Sequence, residues 1–225
     1  MRNPKWTRDE ILLTLDFYHS HYPKIPEKNS QEISDLSKTL RKTQEKLDND
    51  IDEKYRNING VYMKLMNFHH LNPNHSGEGL KSVSELDREI FQDFENDKES
   101  LSKISGTIKE IINSDEYDTE LKDDNDIDDD YETKEGKILT KIHKYRERDR
   151  KIVKKKKNKV LKETGNLKCE GCEFDFKESY GPRGEGFIEC HHKTPISEIK
   201  PGQKTTLKDL ILLCSNCHRM VHRKK

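Results

Sequence analysis

No stretch of this chain approaches the about 20 consecutive apolar residues that a membrane-spanning helix needs. The opening, Met1-Arg2-Asn3-Pro4-Lys5, has none of the apolar run of a secretory leader. The expectation is a soluble, cytoplasmic protein with no membrane partner. Apolar residues are scarce, 30% of 225, against about 45–50% in an average globular chain counted with glycine. A chain this poor in them builds small cores, and a small core gains from a metal staple. Cysteine is scarce too. Five residues are too few for the disulfide framework of a small secreted domain, which points to a reducing compartment.

A surplus of one charge sign is also missing, with 43 Lys+Arg against 43 Asp+Glu. That balance hides segregation. Residues 1–112 carry 17 basic and 20 acidic side chains, residues 113–135 carry 2 and 12, and residues 136–225 carry 24 and 11. A basic C-terminal third behind an acidic tether suits a polyanion binder.

The first 112 residues read as helical. Thr7-Arg8-Asp9-Glu10 is a capping box that opens a helix carrying Ile11, Leu15, Tyr18 and Tyr22, broken by Pro23 and Pro26. Ser30 caps a second helix (Ile33, Leu36, Leu40), and Asn57-Ile58-Asn59-Gly60 opens a third (Val61, Leu65, Phe68). Leu86, Ile90, Phe91 and Phe94 mark a fourth, and Leu101, Ile104, Ile108 and Ile111 a fifth. His19, His21, His69, His70 and His75 are scattered and read as surface or loop residues. Residues 113–135 contain Asp123-Asp124-Asn125-Asp126 and Asp128-Asp129-Asp130, an acidic linker that self-repulsion keeps extended. Residues 137–163 reverse the sign. Arg146, Arg148, Arg150 and Lys154, Lys155, Lys156 and Lys157 lie on a predicted helix and are candidate contacts for a phosphate backbone.

From Gly165 the pattern changes to chemistry. Cys169/Cys172 and Cys214/Cys217 form two Cys-x-x-Cys pairs, the spacing of a closed four-thiolate structural zinc site. Four histidines are extra to it. Glu189-Cys190-His191-His192 lies between the pairs, and the second pair runs into His218-Arg219-Met220-Val221-His222. His218 and His222, four apart on a predicted helix from Cys217 to Arg223, share a face. Histidines beside a filled zinc site are free to build an open metal site. Cys190 reads as a small strand residue.

These motifs, with the approach Asp209-Leu210-Ile211-Leu212-Leu213-Cys214, resemble the HNH endonucleases and their ββα-metal finger. Tyr180-Gly181, Glu185-Gly186-Phe187 and Tyr145-Arg146-Glu147-Arg148 also look like the McrA-type restriction nuclease subgroup. The resemblance implies His191, His218 and His222 as ligands of a divalent catalytic cation (Mg²⁺, Mn²⁺, Ni²⁺ or Zn²⁺) and His192 as general base. It places Asp209 where the family usually has Asn, orienting the loop that holds the base. A carboxylate near His192 would raise its pKa and move the pH optimum. Arg183, Lys193 and Arg219 join the candidate phosphate contacts. The first domain looks loosely like a helix-turn-helix of the Myb/SANT type, with Arg56, Asn57, Asn59, Lys64 and Asn67 turned to DNA. Its excess of acidic residues argues against strong DNA binding, and a protein-interaction or packing role stays open.

The reading is an α+β chain with three parts: residues 1–112 as a helical domain, 113–135 as the acidic linker, and 136–225 as a basic helix plus a zinc-stapled HNH nuclease domain. Its activity would be metal-dependent cleavage of DNA in restriction or defence. The alternative is a zinc-dependent nucleic-acid-binding module without catalysis. A nicking monomer and a homodimer that cuts both strands are equally open.

Overall fold

The computed structural model describes residues 4–77, 79–122, 136–147, 150–194, 198 and 205–223. Arg148 and most of the acidic linker lie outside the described residues. The described part is mostly helical, with one small two-stranded sheet near the C-terminus.

Five helices form the N-terminal bundle: α1 (Arg8–His21), α2 (Gln31–Lys46), α3 (Ile58–Leu71), α4 (Glu85–Phe94) and α5 (Lys98–Asn113). Their starts follow from local chemistry. Thr7 caps α1 in a full capping box, with the Glu10 carboxylate accepting from the Thr7 N–H at 2.8 Å. Ser30 caps α2, Asn57 caps α3, and Ser84 opens α4 with a second capping box to Asp87. The α1 helix is the centre. Every residue from Arg8 to Leu15 is buried, because α2, α3, α4 and α5 all pack against it. A helix covered on all sides need not be amphipathic.

Burying the first turn of α1 buries three charges, and each is partnered. Arg8 donates to Glu89 (3.0 Å) and Asp93 (2.9 Å) on α4. Glu10 accepts from Arg56 Nε (2.9 Å) and Nη2 (2.8 Å) and from the Tyr55 hydroxyl (2.6 Å). Asp9 reaches α7 (Lys137–Glu147). Its carboxylate accepts from the backbone N–H groups of Lys137 (3.0 Å) and Ile138 (3.3 Å), so a residue 128 positions upstream caps that helix. Gly136 makes the approach feasible. Its φ is +93°, and a Cβ there would lie 2.3 Å from Asp9 Oδ1.

Two of the predicted DNA-facing residues are corrected here. Arg56 is held inside by Glu10 and stacked over Trp6 and Tyr55, 4.3 Å from each ring centre. Lys64 is buried with both Asp87 oxygens at 2.7 and 2.8 Å. Neither side chain reaches the surface, because each neutralises a buried carboxylate. Val61, Leu65 and Phe68 face the core as expected. Two histidines read as surface residues turn inward. His69 packs beside Tyr18, and His19 beside Phe91.

The bundle core does not end at residue 112. Tyr117 and Leu121, the latter on α6 (Asp118–Lys122), together with Ile138, Leu139 and Ile142 on α7, belong to the same apolar cluster. The described parts of the predicted basic helix serve two cores, with residues 148–149 between them outside the described residues. The first part, α7, joins the bundle. The second, α8 (Arg150–Thr164), packs through Ile152, Val153 and Val160 on a separate C-terminal core. That core holds Ile188, Cys190, Leu210, Leu212 and Leu213, from β1 (Glu189–His192), β2 (Leu210–Leu213) and the residue before β1. A short helix, α9 (Phe176–Tyr180), precedes β1, and α10 (Ser215–Val221) follows β2.

Candidate functional site

The site is carried by the β-hairpin and the helix behind it. β1 and β2 are antiparallel, with Glu189 opposite Leu213, Cys190 opposite Leu212, His191 opposite Ile211 and His192 opposite Leu210. Alternation along β1 sends Cys190 and His192 to the buried face, and leaves Glu189 and His191 half-buried. The segment after Cys169 locks onto the other strand. The Glu170 N–H donates to the Leu212 carbonyl, and the Leu212 N–H donates to Glu170 Oε1, both at 2.8 Å.

Four thiols meet beside this hairpin. The Sγ atoms of Cys169, Cys172, Cys214 and Cys217 all lie within 4.8 Å of one another. Cys172 and Cys214 are 3.7 Å apart. Thiolates bound at about 2.3 Å around a tetrahedral zinc stand about 3.8 Å apart, so the donor set fits that ion. Cys214 also caps α10, its Sγ accepting from the Cys217 N–H at 3.4 Å. The cluster strains its own protonation. Burial pushes the Cys169 thiol up, but backbone hydrogen bonds from Cys214, Gly171 and Cys172 outweigh it and bring the pKa to about 7. Hydrogen bonds to Cys172, Cys214 and Cys169 push Cys217 up to about 12. A divalent cation relieves the mutual repulsion of such thiolates. Cys190 is buried in the hairpin core, outside the cluster.

A second donor set comprises His191, His218 and His222, whose ring nitrogens lie within 4.8 Å of one another. His218 Nε2 and His222 Nε2 are 3.1 Å apart, near the about 3.4 Å between imidazoles sharing a tetrahedral ion. Their helix differs slightly from expectation. It starts at Ser215, and His222 is its C-cap residue, still in αR backbone, so the four-residue spacing keeps both rings together. Burial holds the His222 imidazole below the usual range, in the neutral form a metal requires.

Glu189 completes the arrangement. Its Oε2 lies 2.5 Å from His218 Nδ1, and its Oε1 accepts from the Ser215 hydroxyl at 2.5 Å. A proton on Nδ1 directs the Nε2 lone pair toward His191 and His222. Sequence reasoning quoted Glu189 in the motif and gave it no role. The period of two along β1, which pairs it with His191, carried the signal.

His192 is 2% exposed, and its Nε2 lies 3.2 Å from Thr205 Oγ1. Asp209 spends its carboxylate on the Thr206 N–H and hydroxyl, both at 2.7 Å, and these bonds hold it below the usual carboxylate range. Its carbonyl accepts from the Lys193 N–H at 2.8 Å, which closes the hairpin next to His192. Attraction to His192 contributes less to the Asp209 shift than the Thr206 bonds do.

Of the candidate phosphate contacts, Lys154, Lys155, Arg183, Lys193 and Arg219 are exposed. Lys156 is buried near Glu170, and Lys157 donates to the Gly186 carbonyl at 2.9 Å. Four consecutive helical residues cover every side of a helix, so they cannot share one face. Arg146 lies on α7 and Arg150 begins α8. Among the described residues, no helix is long and apolar enough to cross a membrane.

No curated protein and no solved structure matches the chain. Residues 169–224 match the family model described as HNH endonuclease. That span holds both donor clusters, the hairpin and α10, and the C-terminal segment of this chain is an HNH domain.

Proposed function

We propose that the chain is a divalent-cation-dependent endonuclease that hydrolyses DNA phosphodiester bonds. The observation that carries this is the separation of two donor sets, four thiols in one and three imidazoles in the other. Four thiolates close a structural site, while three imidazoles leave positions for phosphate and water. When bound by His191, His218 and His222, a divalent cation supplies Lewis acidity for the phosphoryl oxygen and the leaving 3′ oxygen. Imidazole donors suit Mn²⁺, Ni²⁺ or Zn²⁺ better than Mg²⁺.

The chain's own residues do the rest. His192 takes the proton of the attacking water as general base. Its Nε2 lies beside the Thr205 hydroxyl, the polar group through which a water would be placed. Asp209 fixes the turn that carries Thr205 and Thr206 and anchors the chain after His192. Lys193 and Arg219 flank the imidazoles in sequence and offer charge to the phosphate. Glu189 and Ser215 orient His218.

We place the enzyme among McrA-type restriction nucleases in the cytoplasm, where thiols stay reduced. Support comes from the Tyr145-to-Arg148 and Tyr180-to-Phe187 segments and from the separately cored helical bundle in front of the module. Removing either helix histidine tests the site. His218→Ala and His222→Ala keep the four-thiol zinc, lose the second equivalent of bound divalent ion and lose cleavage. Full cleavage by both variants would refute this histidine site, and DNA binding by a wild type that cuts nothing would leave the binding-module alternative in its place.

A further inference from the structure

The helical bundle hides its large apolar side chains well. Among the described residues it exposes only Met63 and Leu80, and no aromatic ring. The smaller C-terminal module exposes three aromatics in one cluster: Phe174 at 36%, Phe187 at 55% and Tyr180 at 62%. Phe176 is their half-buried hub. Its ring centre lies 4.9 Å from that of Phe174, 4.7 Å from that of Phe187 and 6.0 Å from that of Tyr180. A satellite core explains Phe176. It does not explain why the two most exposed rings stand outside, since burying them would be favourable in water.

Two further observations select an occupant. Lys157 of α8 donates to the carbonyl of Gly186, next to Phe187, which joins the cluster to a helix with eight Lys+Arg against the single acid Glu163. Two of the carboxylates at the rim are already paired, Glu178 with Lys168 and Glu185 with Lys177, while Glu173 and Arg183 are exposed. Phe187 also precedes His191 by only four residues, so their Cα atoms are at most about 14 Å apart. A flat apolar platform, a cationic helix and a phosphodiester site within that reach match a nucleic-acid strand whose bases are unstacked.

The geometry points to Tyr180, Phe187 and Phe174 as a stacking platform for unpaired nucleobases, so that the enzyme engages DNA with a single-stranded or flared segment beside the cut. This deepens the nuclease reading and rests on it for the word substrate, but the binding it asserts is separable from cleavage.

The test is fluorescence anisotropy with a labelled single-stranded oligonucleotide and the matching duplex. It uses the full chain in a His192→Ala background, zinc-loaded, without further cation. Tyr180→Ala and Phe187→Ala each weaken single-strand binding at least about fivefold, the low end of what one base–aromatic stack is worth. Duplex binding changes less than twofold, and Tyr180→Trp restores the single-strand affinity. Equal losses on both substrates, or no loss on either, overturn the platform. A wild-type dimer that Tyr180→Ala converts to a monomer in sedimentation gives the surface to a second copy and also overturns it. If the platform variants behave as stated while the His192-intact protein cuts nothing, the nuclease reading fails and the platform stands.

Discussion

Replacing Glu189 should loosen a metal site that Glu189 never touches. Its carboxylate spans 2.5 Å to His218 Nδ1 and 2.5 Å to the Ser215 hydroxyl, and so fixes the ring plane and the tautomer of one of three imidazoles. Outer-shell partners of this kind are worth about 10- to 100-fold in metal affinity, or about 1.4–2.7 kcal/mol. Glu189 is 39% exposed, so water screens its charge and the lower half of that range applies. Glu189→Gln keeps an acceptor but loses the charge and should cost about 5- to 10-fold. Glu189→Ala frees the ring and should cost about 10- to 50-fold. The assay is calorimetric titration of Mn²⁺ or Ni²⁺ into protein whose thiol site already holds zinc, with circular dichroism to check the fold. Affinities within twofold of wild type for both variants, at unchanged fold, would refute the reasoning.

Other outcomes follow from the same geometry. Cys214→Ala removes both a thiolate and the α10 cap, and chelating the structural zinc has a related effect. In each case the C-terminal segment should become protease-sensitive while the bundle keeps its helical signal. The half-buried His19 imidazole is pulled down to about 4, first by desolvation and then by Lys98. Its unfolded value is about 6.5, so the unfolded chain binds this proton more tightly. Stability from His19 is therefore complete above about pH 6.5 and is lost as pH falls toward 4. Discounted for its partial exposure, the loss is about 1–2 kcal/mol. A His19→Leu variant should show that much less acid destabilisation in urea titrations, and an identical pH profile would contradict this. Asp9→Ala and Gly136→Ala each break the long-range cap on α7. Each should cost about 1–2 kcal/mol, read as a melting shift of several degrees. Lys154→Ala with Lys155→Ala should flatten the plot of log affinity against log salt by up to about two units, without changing sequence preference.

The helix starts were legible because caps are local. Thr7, Ser30 and Asn57 each act within three residues of themselves. The two donor clusters were legible because metal spacing is written in short motifs around Cys169 and Cys214, His191 and His218. What sequence reasoning missed is long-range. Nothing near Asp9 says that it caps α7 across 128 residues. Nothing near Arg56 or Lys64 says that Glu10 and Asp87 wait inside for them. A charge on a predicted helix reads as solvated by default, and only the packing of α1 reverses that. The basic run has continuous charge, and only packing shows that its apolar residues divide between two cores.

The most direct measurement is cleavage of supercoiled plasmid by wild type and His192→Ala, across Mg²⁺, Mn²⁺, Ni²⁺ and Zn²⁺, with bound metal quantified in both. Wild type should give nicked or linear product with at least one of these ions. His192→Ala should hold the same metal and DNA and cut at least about 100-fold more slowly. Cleavage by His192→Ala at the wild-type rate, or binding by both proteins with cutting by neither, would contradict this.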